Sequence, residues 1–248
     1  MDDSAQQKSS PTHSPLPLSD TLPFGERPFI ALYSAVAGFV DTAGFVTLAG
    51  LFTAHVTSNL VLAGAAVSDP EKDIFSRLIM IPIFIVGVIC AAFLADRARR
   101  NQHSPIRPLL MAQSVGLIIF LILGTLAEQR ANHQPLTTLQ VILVGGVGVF
   151  AMAFQNAFMR DVATTLPAST LMTGNLTQIT LDSVRQIADP LPERTMRLKR
   201  QIPALVGFLV GATLGAVGVL HFGFLSLFLP TVVVVMLALK SSSTISFT

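Results

Sequence analysis

Residues 38–61 read GFVDTAGFVTLAGLFTAHVTSNLV, and this stretch decides the fold class. It is almost entirely apolar or small, with one carboxylate, Asp41, inside an otherwise uncharged run. Apart from Asp41, Asp, Glu, Lys and Arg are missing from five long stretches, which are 29–67, 78–95, 108–127, 137–159 and 201–239. Runs of about 20 apolar residues match the thickness of a bilayer's hydrocarbon core. The sequence therefore predicts an all-α, multi-pass membrane protein.

The composition excludes several classes of protein. Of the 248 residues, 51% are apolar and only 12% are charged, whereas a soluble domain carries about 25% charged residues. A soluble enzyme, a secreted domain and a nucleic-acid-binding protein are therefore excluded. The one cysteine, Cys90, excludes an intramolecular disulfide or a thiolate metal cluster, and the five histidines are too scattered for metal-ligand spacing. We accordingly expect neither a metal nor a cofactor.

The apolar pattern predicts one transmembrane domain over 29–240, between a disordered cytoplasmic tail at 1–28 and a short polar tail at 241–248. Six stretches are predicted as long spanning helices, which are 29–49, 78–96, 108–127, 137–159, 201–220 and 222–239. Two more, 51–67 and 166–181, are shorter and more polar. We predict that these two are re-entrant or broken helical segments.

The distribution of basic residues favours this topology over its alternatives. If both short segments dip in and return, and the N-terminus is cytoplasmic, 13 of the 16 basic residues lie inside. Lys72, Arg77 and Arg130 remain outside, and Arg160 anchors the cytoplasmic end of its span. With seven or eight crossings, at best 11 basic residues lie inside and 5 lie outside. Six crossings in the inner cell membrane, with both termini cytoplasmic, are therefore preferred, while seven or eight stay open.

Three matches in the same order indicate an internal repeat of 29–127 in 137–240. TSNL at 57–60 recurs as TGNL at 173–176, and AGFVDTA at 37–43 lies over AMAFQNA at 151–157. The third match is a pair of small-residue stripes, Gly87, Ala91, Ala95 and Gly207, Gly211, Gly215. Each half crosses an odd number of times, so two inverted three-span repeats are predicted, an arrangement typical of secondary transporters. The stripes are predicted helix contacts, either within the chain or across a homodimer.

These motifs resemble those of the YoaK family. The resemblance rests on residues 38–61, on FQNAFMR at 154–160 and on TGNL at 173–176, and it extends over nearly all of 29–240. The family consists of mainly bacterial multi-pass membrane proteins of unknown function. It implies a membrane-embedded helical protein without an assigned substrate. Ser58 departs from the glycine that is commonest at this place in the motif and that Gly174 retains in the second copy.

The polar residues inside the apolar stretches are the candidate substrate-binding residues, namely Asp41, His55, Thr57, Ser58, Asn59, Gln155, Asn156, Thr173, Gly174 and Asn175. A carboxylate within the bilayer is costly and commonly functional. Thr57 and Thr173 are candidate helix N-caps, so we expect donors from 57–59 and 173–175 to converge on Asp41. His55 is of the residue type that titrates near neutral pH. The alternative is that these side chains form hydrogen bonds between helices, which only stabilise the packing.

Two hypotheses for function follow. The first is a permease for a small polar or ionic solute, coupled to protons through Asp41. The second is a membrane scaffold or assembly protein without transport activity. The sequence contains no catalytic motif, so we do not expect an enzyme. The predicted partners are the lipid bilayer and a small solute or protons, with no nucleic acid, and a homodimer stays open.

Overall fold

The structure, a computed structural model, describes residues 22–68, 73–132 and 134–241. It is 81% helix, and the described part of the chain contains no strand, which confirms the predicted all-α class. Most of the two predicted tails, 1–21 and 242–248, lies outside the described residues. Leu22, which falls in the predicted N-terminal tail, is buried against the helical core.

The elements follow the predicted order, with shifted ends. The helices are α1 Glu26–Thr47, α2 Ser58–Ala66, α3 Ile74–Arg100, α4 Ile106–Ala131, α5 Thr138–Ala157, α6 Met172–Ala188, α7 Pro192–Phe222 and α8 Phe228–Lys240. A π-helical turn, Phe158–Val162, prolongs α5, and a 3-10 turn, Gly223–Leu227, separates α7 from α8. The largest difference is at α7, which begins well before the predicted residue 201. Its charged first turns are held by ion pairs to α6 and α1, through Asp182 and Glu26.

Among the described residues, five stretches are long and apolar enough to cross a membrane, and the last of them, Pro192–Lys240, has 49 residues. This last stretch contains both α7 and α8. Arg200, near the start of α7, pairs with Glu26 at the start of α1. Lys240, at the end of α8, lies 4.4 Å above the ring of Phe24, beside the same end of α1. The chain therefore reverses direction at Gly223–Leu227, and α8 runs opposite to α7.

Helices α1 and α7 run in the same direction and touch backbone to backbone. Three glycines of α7 face three carbonyl groups of α1 in register: Gly207 faces Ala31, Gly211 faces Ala35 and Gly215 faces Phe39. A side chain at any of the three would collide with the facing carbonyl oxygen. This predicted small-residue stripe is therefore used for packing within the chain.

Helices α3 and α5 form a second parallel pair. A Cβ at Gly87 of α3 would lie 2.6 Å from the Cβ of Ala153 and 3.2 Å from the Phe150 carbonyl oxygen of α5. Ala91 and Ala95, in the same stripe, are buried. At one end of this pair, Arg99 bonds Asp161 in the π-helical turn. Both stripes thus pack a helix of one half of the chain against a helix of the other half.

Basic residues collect at one end of the bundle, where α1 begins and α3 ends. We call it the basic end, and its residues are Arg27, Arg97, Arg99, Arg100, Arg107, Arg160, Arg185, Arg194, Arg197, Lys199, Arg200 and Lys240. Asp182 lies here as well, and two hydrogen bonds from Arg197 hold the pKa of its carboxyl at about 2. At the opposite end, Arg77 donates to the carbonyls of Ala49 and Gly50.

Replacing Gly211 by alanine tests the contact between α1 and α7. The new methyl group would overlap the Ala35 carbonyl, so we expect a loss of stability of about 1–3 kcal/mol, the usual cost of overpacking. Gly64→Ala is the matched control, because a Cβ at that helical position meets nothing within 4 Å. It should be neutral or stabilising by about 0.5–1 kcal/mol. Thermal unfolding of both variants in detergent, followed by circular dichroism, measures the difference. Equal melting temperatures would contradict the backbone contact.

Candidate functional site

Both short segments fold back along the long helix that precedes them. The chain leaves α1 after Thr47, and residues 53–55 return to the level of Asp41 before α2 begins at Ser58. In the second half the chain leaves the π-helical turn after Val162, and residues 169–170 return to the level of Gln155 and Asn156. Helix α6 then leads to the basic end. Each segment thus returns to the end of the bundle from which it entered.

Asp41 anchors the first segment through its carboxylate. Its Oδ1 accepts backbone N–H groups from Thr53 at 2.8 Å, Ala54 at 2.6 Å and His55 at 3.3 Å. Its Oδ2 lies 2.7 Å from Nδ1 of the His55 ring. The Asp41 side chain is 5% exposed, so the three amides and the imidazole take the place of water around a buried charge.

These donors are not the ones we expected from the sequence, which were residues 57–59 and 173–175. The N–H groups of Ser58, Asn59 and Leu60 bond instead to the carbonyls three residues before them and form the first turn of α2. These three backbone N–H groups are therefore not free to bond Asp41. Residues 53–55 lie outside any helix and lack such local partners, so their amides are the ones that reach the carboxylate.

Asn59 and Asn175 hold their segments by the same hydrogen bond. The Asn59 amide donates to the carbonyl of Phe52 at 2.8 Å, and the Asn175 amide donates to the carbonyl of Ala168 at 2.8 Å. Each acceptor lies seven residues before its asparagine. Asn59 also accepts the N–H of Phe52 at 2.9 Å. The asparagines of the two T-x-N-L motifs therefore close loops, and they do so in the same way in both halves.

Gln155 belongs to a buried hydrogen-bond network that the sequence did not reveal. Tyr33 donates its hydroxyl to Gln113 at 2.6 Å, and Gln113 donates to Gln155 at 2.7 Å. Gln155 donates in turn to the Tyr33 carbonyl at 2.7 Å and to Ser169 at 3.0 Å. The network joins α1, α4 and α5 to the second short segment. Two features of the sequence could have indicated it, namely Tyr33, the single tyrosine of the chain, and Gln113, a lone glutamine in an apolar span.

A cavity of about 420 Å³ lies between the two short segments, α3 and the end of α5. Ligand sites typically enclose 300–1,000 Å³, so this volume suits a small solute. The lining residues are Ala54, His55, Val56, Thr57, Leu60, Ile81, Phe84, Val88, Asn156, Ala157, Arg160, Thr170 and Leu171. The cavity therefore touches the first T-x-N-L motif directly, and it touches the second segment just before its motif.

The structure thus divides the predicted site residues into two groups. His55, Thr57 and Asn156 line the cavity, and Asp41 lies directly behind His55. The other six do not line it, and they are Ser58, Asn59, Gln155, Thr173, Gly174 and Asn175. Two polar or charged residues of the cavity wall were not among the candidates, Arg160 and Thr170. Thr170 donates its hydroxyl to Asn156 at 2.7 Å, which ties the second segment to the cavity wall.

The comparisons with known proteins place the chain in a family. A family model described as "Protein of unknown function (DUF1275)" matches residues 29–240. The chain belongs to this family. It is similar to the UPF0700 transmembrane protein YoaK of Bacillus subtilis (strain 168), with 26% identity over 155 residues. No solved structure matches the chain.

The alignment with YoaK covers 62% of this chain and 65% of that protein, less than two thirds of its length. Together with the apolar helices, the relative and the DUF1275 family confirm the predicted YoaK-type membrane protein. The family leaves the function unassigned. Among the described residues, no group of three or more His, Cys, Asp or Glu side chains could hold a metal ion.

Two substitutions at Asp41 separate its acceptor role from its charge. Asp41→Leu leaves three N–H groups without their acceptor, and each such loss costs about 1–3 kcal/mol, so we expect severe destabilisation. Asp41→Asn keeps an oxygen for these donors and should fold. Asp96→Leu, at a carboxylate that is 57% exposed, is the control and should change stability little. Melting temperatures in detergent measure all three variants. If Asp41→Leu were as stable as Asp41→Asn, the anchor would be refuted.

Proposed function

We propose that this protein is a transporter-like permease for a small polar or ionic solute. The observation that carries the proposal is the cavity, because it is lined by the short segments of both halves at once. Thr57 and Leu171, the residues at the N-terminal caps of α2 and α6, both line it. Discontinuous helices that begin around a central site are typical of secondary transporters. The proposal assigns no catalytic reaction to this site.

The proposed topology has six crossings and two inverted repeats. Its first support is direction: α1 runs away from the basic end, whereas α5 runs toward it, since Asp161 just beyond α5 bonds Arg99 there. Its second support is the shared loop closure by Asn59 and Asn175. In addition, Asp41 bonds the residue 14 positions later, and so does Gln155. Basic residues of membrane proteins are enriched on the cytoplasmic side of the membrane. In the proposed topology, the basic end and both termini therefore face the cytoplasm, and the protein lies in the inner membrane.

A membrane scaffold is the second candidate function, and a specific observation favours it. The network of Tyr33, Gln113, Gln155 and Ser169 is closed on itself and joins elements of one chain. Polar side chains used in this way stabilise a fold and need no solute. The two candidates differ at the cavity, because a permease requires it to admit water, and a scaffold does not.

Cysteine labelling tests this difference with two neighbouring residues of α3. Val88 lines the cavity, whereas Ile89 is 47% exposed on the outer surface and does not line it. In a Cys90→Ala background, Val88→Cys should react with a charged, membrane-impermeant methanethiosulfonate reagent. Ile89→Cys should not, because it faces lipid. The measurement is the mass shift of protein reconstituted in liposomes.

Uptake of a radiolabelled solute panel by the same liposomes completes the test. Labelled Val88→Cys should lose uptake because the reagent fills the cavity, while Ile89→Cys treated in the same way should keep it. A Val88→Cys variant that stays unlabelled would mean a dry cavity and would favour the scaffold.

A further inference from the structure

Few charged or titratable groups line the cavity among the described residues. Of its lining residues, as the structure describes them, His55 and Arg160 alone are titratable or charged. Behind His55, from α1, lies Asp41, and two rings pack on the imidazole, that of Phe52 from the same short segment and that of Phe208 from α7. Three side chains therefore determine the charge of the site: one carboxylate, one imidazole and one guanidinium.

The Asp41 carboxylate is directed away from any solute. Both of its oxygens are engaged, one by three backbone amides and the other by the His55 ring. With Nδ1 donating its hydrogen to Asp41, the second nitrogen of the ring, Nε2, is an acceptor. It has no hydrogen-bond partner among the described residues. A proton that binds Nε2 gives an imidazolium whose charge is stabilised by Asp41, so the cavity gains a donor and one positive charge.

Arg160 supplies the fixed positive charge. It lies on the π-helical turn that follows α5, and it lines the cavity. The neighbouring carboxylate, Asp161, bonds Arg99 of α3 at 2.8 Å and is thereby occupied. Within the described part of the chain, Arg160 has no ion pair, in contrast to Arg197 and Arg200 at the same end. A guanidinium that lines a cavity without a carboxylate partner suits an anionic ligand.

We propose that the solute is a small monoanion, such as a monocarboxylate or an inorganic monoanion, that binds together with one proton. This inference rests on the proposed function and specifies its substrate class. The anion binds between Arg160 and protonated His55, and the Thr57 hydroxyl, which has no partner among the described residues, is available to donate to it. The proton comes from solution and binds Nε2 of His55. The hydrogen on Nδ1 stays on the ring and remains hydrogen-bonded to Asp41. The Nε2–H bond is the one covalent bond that forms, and none breaks in the protein or in the solute.

The charge balance of the site explains the one-to-one stoichiometry. In the empty site, Asp41 contributes −1, Arg160 contributes +1 and neutral His55 contributes nothing, so the sum is zero. With one proton and one monoanion bound, His55 contributes +1 and the solute −1, and the sum is again zero. Arg160 itself is exposed, but Asp41 is buried and His55 is half-buried, so a proton or an anion alone leaves a net charge beside groups that water screens poorly, which is costly. The two neutral states are therefore favoured, and binding of proton and anion is cooperative.

The binding test uses purified protein and a matched pair of probes, lactate and its neutral isostere lactamide, with formate and nitrate as further anions. At least one anion should raise the melting temperature, more at pH 6 than at pH 8, and lactamide should not. Arg160→Gln should abolish the shift, Arg160→Lys should restore part of it, and His55→Gln should remove its pH dependence. Arg100→Gln is the control, because this arginine lies at the same end but does not line the cavity.

Proton uptake provides a second measurement. In weakly buffered solution with a pH indicator, anion binding should take up protons, at most one for each anion bound, and His55→Gln should take up none. A shift by lactamide equal to that by lactate, a shift independent of pH, or no shift by any anion would each overturn the inference. In those cases labelling of Val88→Cys still decides whether the proposed function stands. A labelled cavity would leave a permease for another solute class, and an unlabelled one would remove both proposals.

Discussion

The acceptance of three backbone N–H groups by the Asp41 carboxylate is the interaction on which the cavity depends. Inside a bilayer, non-helical backbone is tolerated only when protein or water satisfies its polar groups. Asp41 does this for residues 53–55, and Asn59 does it for both polar groups of Phe52. The second segment is held by neutral groups, chiefly Gln155 and Asn175. Since both segments are anchored from within, two helices can begin inside the bundle and leave a space between their starts.

Close packing of the long helices keeps these anchors in place. The backbones of α1 and α7 touch at Gly207, Gly211 and Gly215, so the distance between these helices cannot vary with side-chain rotamers. Asp41 lies on α1, and the Phe208 ring of α7 lies 5.3 Å from the His55 ring. The imidazole is therefore oriented by both helices of the pair, one from each half of the chain. A shift between the halves would change the surroundings of His55.

Much of this architecture was predictable from the sequence, because it follows from local chemistry. Charge-free runs indicated the helices, and the recurring T-x-N-L motifs contain the two asparagines that close their loops with the same hydrogen bond. The partners of Asp41 were not predictable, because it was unknown that the amides of 58–60 would be consumed by the first turn of α2. Arg160 was predicted only as a topological anchor, since it lines the cavity together with His55 and Thr57, which lie about 100 positions earlier in the sequence.

The central claim is that the two short segments meet at one cavity, and cross-linking measures this directly. Thr57 and Thr170 line the cavity from opposite segments. In a Cys90→Ala background, the double variant Thr57→Cys, Thr170→Cys should form an intramolecular cross-link with a bifunctional thiol reagent that spans a cavity of this size. The intact mass should show one reagent attached at both ends. Two singly attached reagents, with every length of reagent tried, would show that the segments do not share a cavity and would contradict the account.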